Sequence, residues 1–364
     1  MVVGPLPNAT RRVKVYTGLS CNARCRFCYY WDRLNTNDPT TVDMLVKLNY
    51  AKGLGIEAVD FSGGEPTIRR DIVKLVRYAK RRLGFKTICV ITNGIKLADK
   101  TFLRKLIDQG LNDILFSIEG PNPKIHDYLT QISGSFNCID KAIRYAKDLS
   151  IRVRTNTTVT SFNYMYLPDL ADYLAKIKPN AVNFILFNDW CSAYKVIREM
   201  SCKYSAAAPY LREAISKLIN RVKKITIRYI PFCFLPEYEH LICNLLQKKY
   251  DHDEWNDYVK EVLSGKLKVS DIKFAKIRLY RFVLRNIIDY PFVLKNPNTS
   301  MIDVAHDIVI EKMRRGYVKR PDCIECKYYS ICDGLEKSYA KVVGLDELHP
   351  IKGEVDFQRI FSIR

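Results

Sequence analysis

The sequence predicts an α/β protein: a partial (β/α)6 barrel resembling part of the eightfold barrel, followed by a C-terminal extension of α+β structure that contains cysteines. Two observations predict it. Six runs rich in Val and Ile alternate with amphipathic helical segments through the first 190 residues, which requires a parallel sheet with right-handed crossovers. Cysteine, glycine or polar segments follow these runs, and the C-terminal strand ends are where barrels of this kind carry their chemistry.

The strands are predicted from short runs that are largely unbroken by charge, as expected when both faces of a sheet are covered. They are Val13–Thr17, Ala58–Ser62, Thr87–Thr92, Asp113–Ile118, Arg152–Val159 and Ala181–Leu186. The helices between them are predicted from apolar residues at helical spacing. They are Thr41–Leu54, Asp71–Leu83, Lys100–Gln109, Cys138–Leu149 and Tyr166–Ile177.

The organisation changes after the sixth repeat, so we expect a barrel domain over residues 1–200 and an extension over 201–364. Within the extension, Ala206–Val222 is predicted to be a helix, Ile225–Ile230 a strand and Lys273–Tyr290 a basic amphipathic helix. Residues 236–264 are expected to pack against the barrel mouth. The cations of the basic helix are interpreted as a solvated face or as a contact for an acidic substrate: Lys273, Lys276, Arg281 and Arg285.

The amino-acid composition limits the classes of protein to which this chain can belong. The 364 residues contain no uncharged apolar run long enough to span a membrane, and the first seven residues are too short for a secretory signal, so we expect a cytoplasmic protein. Twelve cysteines in such a protein indicate metal centres rather than disulfides. The net charge of +20 favours acidic partners such as nucleic acid, or reflects a general compositional bias, and no nucleic-acid-binding motif accompanies it.

The first cysteine group has the spacing C-x3-C-x2-C and directly follows the first strand. It comprises Cys21, Cys25 and Cys28, with Tyr29 next in the chain. Three thiolates on one tight loop can hold three irons of a cubane cluster. The fourth iron is then left open, and an open coordination position is a site for chemistry. The alternatives are a zinc site lacking one ligand and three unrelated thiols.

This loop, followed some 35 residues later by Ser62-Gly63-Gly64-Glu65-Pro66, resembles the radical SAM superfamily. Residues 120–136 resemble in particular the subgroup that contains the molybdenum-cofactor cyclase and peptide-modifying maturases. The resemblance implies a [4Fe-4S] cluster on the three cysteines and S-adenosylmethionine (SAM) bound to its open iron.

The resemblance also implies which residues bind SAM. Tyr29 would contact the adenine, and the segment Ser62, Gly63, Gly64 and Glu65 would bind the amino group of the methionine moiety. Asn93 and Ser117, at the third and fourth strand ends, would meet ribose hydroxyls and the carboxylate. Glu119 stands where the family commonly has Asp.

Two further residues are considered for ligand contact. Arg154 faces inward on the fifth strand by period-2 alternation, where it suits ligand contact or a satisfied interior pair. His126 lies past a strand end and is expected to be structural.

A second cysteine group, Cys323, Cys326 and Cys332, has the spacing C-x2-C-x5-C and resembles the auxiliary-cluster motif of SPASM and twitch extensions. Glu336 occupies the place of a fourth cysteine of the full motif. The resemblance therefore implies one auxiliary [4Fe-4S] cluster whose fourth ligand is Cys233 or Cys243. Cys233 is preferred because it follows a strand. Zinc is the alternative occupant.

The resemblance implies reductive cleavage of SAM to a 5′-deoxyadenosyl radical, which abstracts hydrogen from a substrate. The electron would come from a reductant such as ferredoxin or flavodoxin. A peptide is the first choice of substrate, then a small molecule or lipid, then nucleic acid. A non-catalytic iron–sulfur carrier or scaffold is the alternative from another class, although it would have no use for a glycine-lined SAM segment.

Overall fold

The structure, a computed structural model, describes residues 9–30, 34, 38–187, 198–290 and 299–361. Its centre is a parallel sheet of seven strands in which each strand pairs with the next along the chain. The strands β1 to β7 are Arg12–Tyr16, Ala58–Ser62, Thr87–Thr92, Asp113–Ser117, Arg152–Val159, Ala181–Leu186 and Ile225–Arg228. This order, without a crossover in the middle, is that of a barrel wall rather than of a doubly wound sheet.

The helices cover the outer face of this wall. Those between the strands, α1 to α7, are Thr41–Gly53, Ile72–Arg77, Lys100–Asp108, Pro123–Thr130, Ser135–Asp148, Leu167–Ile177 and Tyr204–Leu218. Helix α2 continues as a single π-helical turn over Tyr78–Arg82. The later helices, α8 to α13, are Asp257–Ser264, Val269–Lys273, Ala275–Asn286, Met301–Arg314, Lys337–Val343 and Phe357–Phe361.

The predicted partial barrel is confirmed, with one strand more than the six repeats supply. The added strand is β7, which pairs in parallel with β6 from Val182↔Ile225 to Ile185↔Arg228. The sequence indicates a strand here but places it in the extension, because no sixth helix like the earlier ones is recognisable before residue 200. The division at residue 200 stays a prediction, and β7 lies beyond it.

The outward side chains of the strands form the main apolar core with the helices. Val13 and Val15 of β1, for example, are fully buried there together with Met44 and Leu48 of α1. The alternate residues of the same strands face the inside of the arc, and most of them are polar, although Ile91, Leu115 and Ile185 also line the cavity. The barrel wall therefore presents an apolar outside to its helices and a mainly polar inside to the axis.

A network of buried charges fills the arc at the N-terminal ends of the strands. Arg12 donates to Asp60 (2.7 Å, Nε to Oδ1) and also to Asp113. Arg154 donates to both carboxylate oxygens of Asp113 at 3.0 and 2.8 Å, and Arg152 donates to Asp253 at 2.8 and 2.9 Å. Each buried charge in this network thus has an opposite charge within hydrogen-bond distance, which offsets the cost of removing it from water.

The gap between β7 and β1 is filled by residues 251–257 rather than by an eighth strand. The amide of Asn256 donates to the carbonyl of Arg12 at 2.8 Å, and the hydroxyl of Thr10 donates to the carbonyl of Glu254. On the other side, Arg228 of β7 forms an ion pair with Glu254 at 2.9 Å. This segment closes the side of the arc, whereas the sequence placed it at the mouth.

The C-terminal part adds helices and a small antiparallel sheet of two strands, β8 and β9, at Tyr317–Val318 and Leu335–Glu336. Its helix α11, Met301–Arg314, was not predicted, although Ile302, Ala305, Val309 and their neighbours have helical spacing. The predicted helix Lys273–Tyr290 is α10 and ends at Asn286. Among the residues described, each helix is too short or too polar to cross a lipid bilayer.

Candidate active site

A cavity of about 370 Å³ opens at the C-terminal ends of the strands, and every one of the seven strands contributes to its lining. All eleven site residues predicted in the N-terminal part lie on its wall. They are Cys21, Cys25, Cys28, Tyr29, Ser62, Gly63, Gly64, Glu65, Asn93, Ser117 and Arg154. The structure therefore brings together residues that are up to 133 positions apart in the chain (154 − 21), and their individual roles stay predictions.

The cysteine loop is held by backbone hydrogen bonds to the end of α4. The amides of Arg24 and Arg26 donate to the carbonyls of Thr130 and Leu129 at 3.2 and 2.9 Å. The guanidinium of Arg26 also lies over the Tyr128 ring at 4.2 Å. These contacts fix the loop from outside, so its three sulfur atoms are presented to the cavity.

The two glycines of the second motif pack against the strand-to-cysteine connection. A β-carbon on Gly64 would lie 2.2 Å from the carbonyl oxygen of Ser20, and one on Gly63 would lie 2.2 Å from that of Gly18. Gly63 also has φ +134°, a conformation that favours glycine. The amides of Gly64 and Glu65 donate to the carbonyls of Gly18 and Ser20 at 2.8 Å. Glycine is required here because two backbones meet directly.

Glu65 is buried and fully hydrogen-bonded within the protein. Its Oε1 accepts from the Thr67 amide at 3.0 Å and from the Thr92 hydroxyl at 2.8 Å, and its Oε2 accepts from the Asn93 amide at 2.8 Å. Burial raises the pKa of Glu65, and these donors partly offset that rise. The carboxylate ties the second strand end to the third, which is a positioning role that the sequence did not reveal.

Polar side chains of the third, fourth and fifth strand ends continue the wall. Asn93 donates from Nδ2 to Oδ1 of Asn22, inside the cysteine loop, at 2.8 Å. Ser117 pairs in register with Asn156, and Oδ1 of Asn156 is buried without a hydrogen-bond partner among the described residues. A buried, unpaired oxygen on a cavity wall is typical of a ligand-binding position.

Arg154 lies on this wall, but its hydrogen bonds belong to the charge network below. It is the third residue of β5 and donates to Asp113 and to the sulfur of Cys89, 3.3 Å away. Of the two interpretations of Arg154, a satisfied interior pair matches these contacts, and its proposed contact with a cofactor stays a prediction.

Glu119 and His126 stabilise the end of β4. Nδ1 of His126 accepts from the amide of Glu119 at 3.0 Å, and burial lowers the pKa of His126 to about 4, so the ring is neutral. Oε2 of Glu119 accepts from the Thr158 amide at 2.8 Å, while burial raises the pKa of Glu119 to about 8. The structural role expected for His126 agrees with these contacts.

The three thiols do not form a compact set of ligand atoms for a single ion. Burial raises the pKa of Cys21 to about 11 and that of Cys25 well above its usual value, with a further rise from the neighbouring cysteines. A metal centre would convert such thiols to thiolates. In the part of the chain that the structure describes, three or more ligand atoms lie within 4.8 Å of one another only in a set formed by Cys243, Asp251 and Glu254. Tetrahedral zinc would need sulfurs about 3.8 Å apart.

Cys233 and Cys243, the two candidates for a fourth ligand, have different surroundings. Burial raises the pKa of Cys233 to about 12, with further contributions in the same direction from Cys332, Cys326 and Cys323. Cys243 instead lies beside Asp251, with its sulfur 3.7 Å from Oδ2. These positions support the preference for Cys233 as the fourth ligand.

Basic side chains already neutralise the two carboxylates of the compact set formed by Cys243, Asp251 and Glu254. Lys224 forms an ion pair with Asp251, and Arg228 forms one with Glu254 at 2.9 Å. A metal ion there would have to displace or repel these cations, so the set belongs to the charge network of the barrel.

A second cavity, of about 1220 Å³, adjoins the first. The two share Lys14, Tyr29, Tyr30 and Tyr229, and the second extends between α1, α8 and α11. Lys14 lies over the rings of Trp255 and Tyr16, at 4.3 and 5.1 Å. The contacts of Lys14 with these aromatic rings were not predicted from the sequence, because only the folded arc brings β1, β7 and residues 251–257 together. Inward alternation on β1 was the one available signal for Lys14.

Comparison with known proteins agrees with this geometry. Residues 15–181 match the model of the Radical SAM superfamily. The part of the chain that carries both motifs is therefore similar to this superfamily. The match covers β1 to the start of β6, including both the cysteine loop and the glycine segment.

The proteins to which this chain is similar in sequence carry different names. GTP 3′,8-cyclase of Aquifex aeolicus is 28% identical over 204 residues, which are 52% of this chain and 62% of that protein. Fe-coproporphyrin III synthase of Methanosarcina barkeri is 26% identical over 227 residues, 62% of this chain and 52% of that protein. The chain spans less than two thirds of the length of these relatives.

A solved structure extends the similarity of fold beyond the barrel. Streptococcus suis SuiB bound to the precursor peptide SuiA superposes with a TM-score of 0.55 and 15% identity, over 96% of this chain and 76% of that one. At this identity the likeness shows the fold alone.

Proposed function

We propose that the chain is a radical SAM enzyme that abstracts hydrogen from a substrate at the mouth of its partial barrel. When bound, the [4Fe-4S] cluster and SAM supply the 5′-deoxyadenosyl radical. The observation that carries the proposal is one cavity, lined by all seven strands, on which the three thiols and the glycine segment meet. An electron carrier or scaffold would have no need for the glycine segment.

The chain would contribute binding and orientation. Cys21, Cys25 and Cys28 would hold the cluster, and the backbone of Gly63 and Gly64 would present polar groups to the cofactor with no side chain between. Asn156, with its unpaired buried oxygen, would accept a hydrogen bond from a bound hydroxyl or amino group. Tyr29 would stack against an aromatic base, since its ring is partly exposed to the cavity.

Peptide is the substrate class that we propose. The second cavity is more than three times the volume of the first and adjoins it, so a substrate larger than a single metabolite fits. SuiB, which shares the fold over most of this chain, is described as bound to a precursor peptide. A small-molecule substrate is the second candidate, because the barrel is similar in sequence to that of a GTP 3′,8-cyclase.

An auxiliary cluster on Cys233, Cys323, Cys326 and Cys332 is part of the proposal. The fit rests on four thiols, the first brought to the other three by the fold, and on the amide of Ile351 donating to the sulfur of Cys326 at 3.4 Å. Hydrogen bonds of this kind tune cluster potentials. A one-electron reductant such as ferredoxin or flavodoxin would complete the system, and the net charge of +20 suits an acidic donor.

The test is anaerobic reconstitution with iron and sulfide, followed by dithionite and SAM, with 5′-deoxyadenosine measured by chromatography. We expect 5′-deoxyadenosine from the reconstituted protein and none after Cys21, Cys25 and Cys28 are all replaced by Ala, with a loss of about four irons. Cys138→Ala, on helix α5, is the matched control and should retain both. SAM cleavage by the triple variant would overturn the proposal.

A further inference from the structure

Helices α9 and α10 carry an unusual surface of exposed apolar side chains. Sixteen large apolar side chains are exposed among the described residues, and six of them lie within residues 269–288. Those on α10 and just after it follow one helix face at spacings of three and four: Ile277, Tyr280, Leu284 and Ile288. Leu284 is 66% exposed and Ile288 83%. We call residues 266–288 the outer basic surface.

The opposite face of the same helix accounts for its packing. Ala275, Leu279 and Val283 are buried, and α10 packs on α11. Phe282 meets the ring of Tyr258 at 4.8 Å between centroids. The exposed stripe is therefore a second apolar face on a helix that has already buried its first one, which a merely solvated helix does not need.

The outer basic surface is also strongly cationic. It contains seven Lys and Arg residues and one acid, Asp271. Arg278 pairs with Asp271 at 3.2 Å. The other six cations have no carboxylate within ion-pair distance in the described part of the chain: Lys266, Lys268, Lys273, Lys276, Arg281 and Arg285. The partner of this surface must accordingly be anionic and apolar at once.

We propose that the outer basic surface docks on an anionic phospholipid membrane, with α10 lying in the plane of the interface. An apolar stripe flanked by Lys and Arg is the composition of interfacial helices. The long cationic side chains reach the headgroups while Leu284 and Ile288 enter the acyl boundary. A protein partner fits less well, since lysine is depleted in protein interfaces.

The position of this surface connects it to the proposed substrate path. Lys266 and Lys268 belong to the outer basic surface and also line the second cavity. Docking would therefore set one wall of that cavity beside the lipid surface. The membrane proposal does not depend on the proposed chemistry, because it concerns a surface remote from the cysteine groups in sequence.

The experiment is co-sedimentation of the reconstituted full chain with vesicles of phosphatidylcholine, with and without about one third phosphatidylglycerol. We expect binding to the anionic vesicles at least about tenfold above that to neutral ones, and its loss as salt rises from about 0.05 M to about 0.5 M. When it binds the vesicles, the Leu284→Trp variant should show additional, blue-shifted tryptophan fluorescence compared with the wild type. Equal binding to neutral vesicles, or none to anionic ones, would overturn the proposal.

Variants locate the effect on the surface. The pair Leu284→Ser and Ile288→Ser should lower binding about tenfold or more, as should Lys276→Gln with Arg281→Gln and Arg285→Gln. Ile219→Ser, which alters an exposed apolar residue at the end of helix α7, is the matched control and should bind as the wild type does. An unchanged circular dichroism spectrum shows that each variant is folded. Unchanged binding of both surface variants, or a dimer in light scattering that Leu284→Ser dissociates, would contradict membrane docking.

Discussion

The two ends of the barrel differ in how completely their polar groups are paired. At the N-terminal end, Arg12, Arg154 and Asp113 satisfy one another in a buried network. At the C-terminal end, the thiols line an open cavity and Oδ1 of Asn156 has no partner among the described residues. The same seven strands thus carry stability at one end and unfilled binding capacity at the other. We therefore expect substitutions at the N-terminal end to lower stability and substitutions at the C-terminal end to lower activity.

The largest expected effect comes from breaking the network at its centre. Asp113→Asn removes one of the two carboxylates that pair with all three arginines of the network, and losing one partner of a buried pair costs about 3–5 kcal/mol of the free energy of unfolding. Chemical denaturation measures it. The control is Glu57→Gln, which removes an exposed pair with Lys86 and should cost under about 1 kcal/mol.

The same network predicts a dependence of stability on acid. Burial would raise the pKa of Asp113, but Arg154 and Arg12 outweigh it and hold that pKa below its usual value. A carboxyl with a depressed folded-state pKa stabilises above its unfolded pKa of about 3.9, and the stabilisation is lost as pH falls below that value. We expect a steeper loss of stability below about pH 4 in the wild type than in Asp113→Asn. Parallel curves would contradict this.

An intermediate effect is expected at the other end from Gly64→Ala. The added methyl group would lie 2.2 Å from the Ser20 carbonyl oxygen, so the connection to Cys21 has to move. A displacement of about 1 Å at a catalytic site costs about a hundredfold in rate. Release of 5′-deoxyadenosine and iron content report it. Gly53→Ala, with nothing within 4 Å of the new carbon, should leave both unchanged; equal loss in both variants would refute the packing argument.

The smallest expected effect tests the second cysteine group. Cys233→Ser should lower the iron content from about eight to about four per chain, whereas Cys243→Ser should leave it near eight. Iron and zinc analysis after reconstitution measures both. Stoichiometric zinc in the wild type, or iron loss from Cys243→Ser instead, would show that the ligand assignment is wrong.

Much of the barrel could be predicted because its signals are local. Four of the six predicted strands have the bounds found in the structure, from Ala58–Ser62 to Ala181–Leu186, since Val and Ile runs between helices mark them. The eleven predicted residues that lie on the cavity wall came from the resemblance of the two motifs to the radical SAM superfamily, together with the expectation that strand ends of a parallel sheet meet at one edge.

The remainder depends on contacts between distant parts of the chain. The membership of β7 in the sheet is decided by its pairing with β6, and the role of Glu65 by donors 2 and 28 positions away. Neither pairing leaves a periodic pattern in the sequence. The choice of Cys233 over Cys243 is favoured by its place after a strand and stays a prediction, supported by the electrostatic influence of Cys323, Cys326 and Cys332 on Cys233.

Strand β7 has a consequence for how the two cysteine groups relate. Cys233 is the fifth residue after the end of this strand at Arg228. The backbone between them is anchored by Asn244, whose Oδ1 accepts a hydrogen bond from the amide of Tyr229 at 2.7 Å. A short, hydrogen-bonded piece of chain therefore runs directly from the barrel wall to the C-terminal thiols. Were the second cysteine group to hold a cluster as proposed, this piece of chain would hold Cys233 at a constant position relative to the barrel wall.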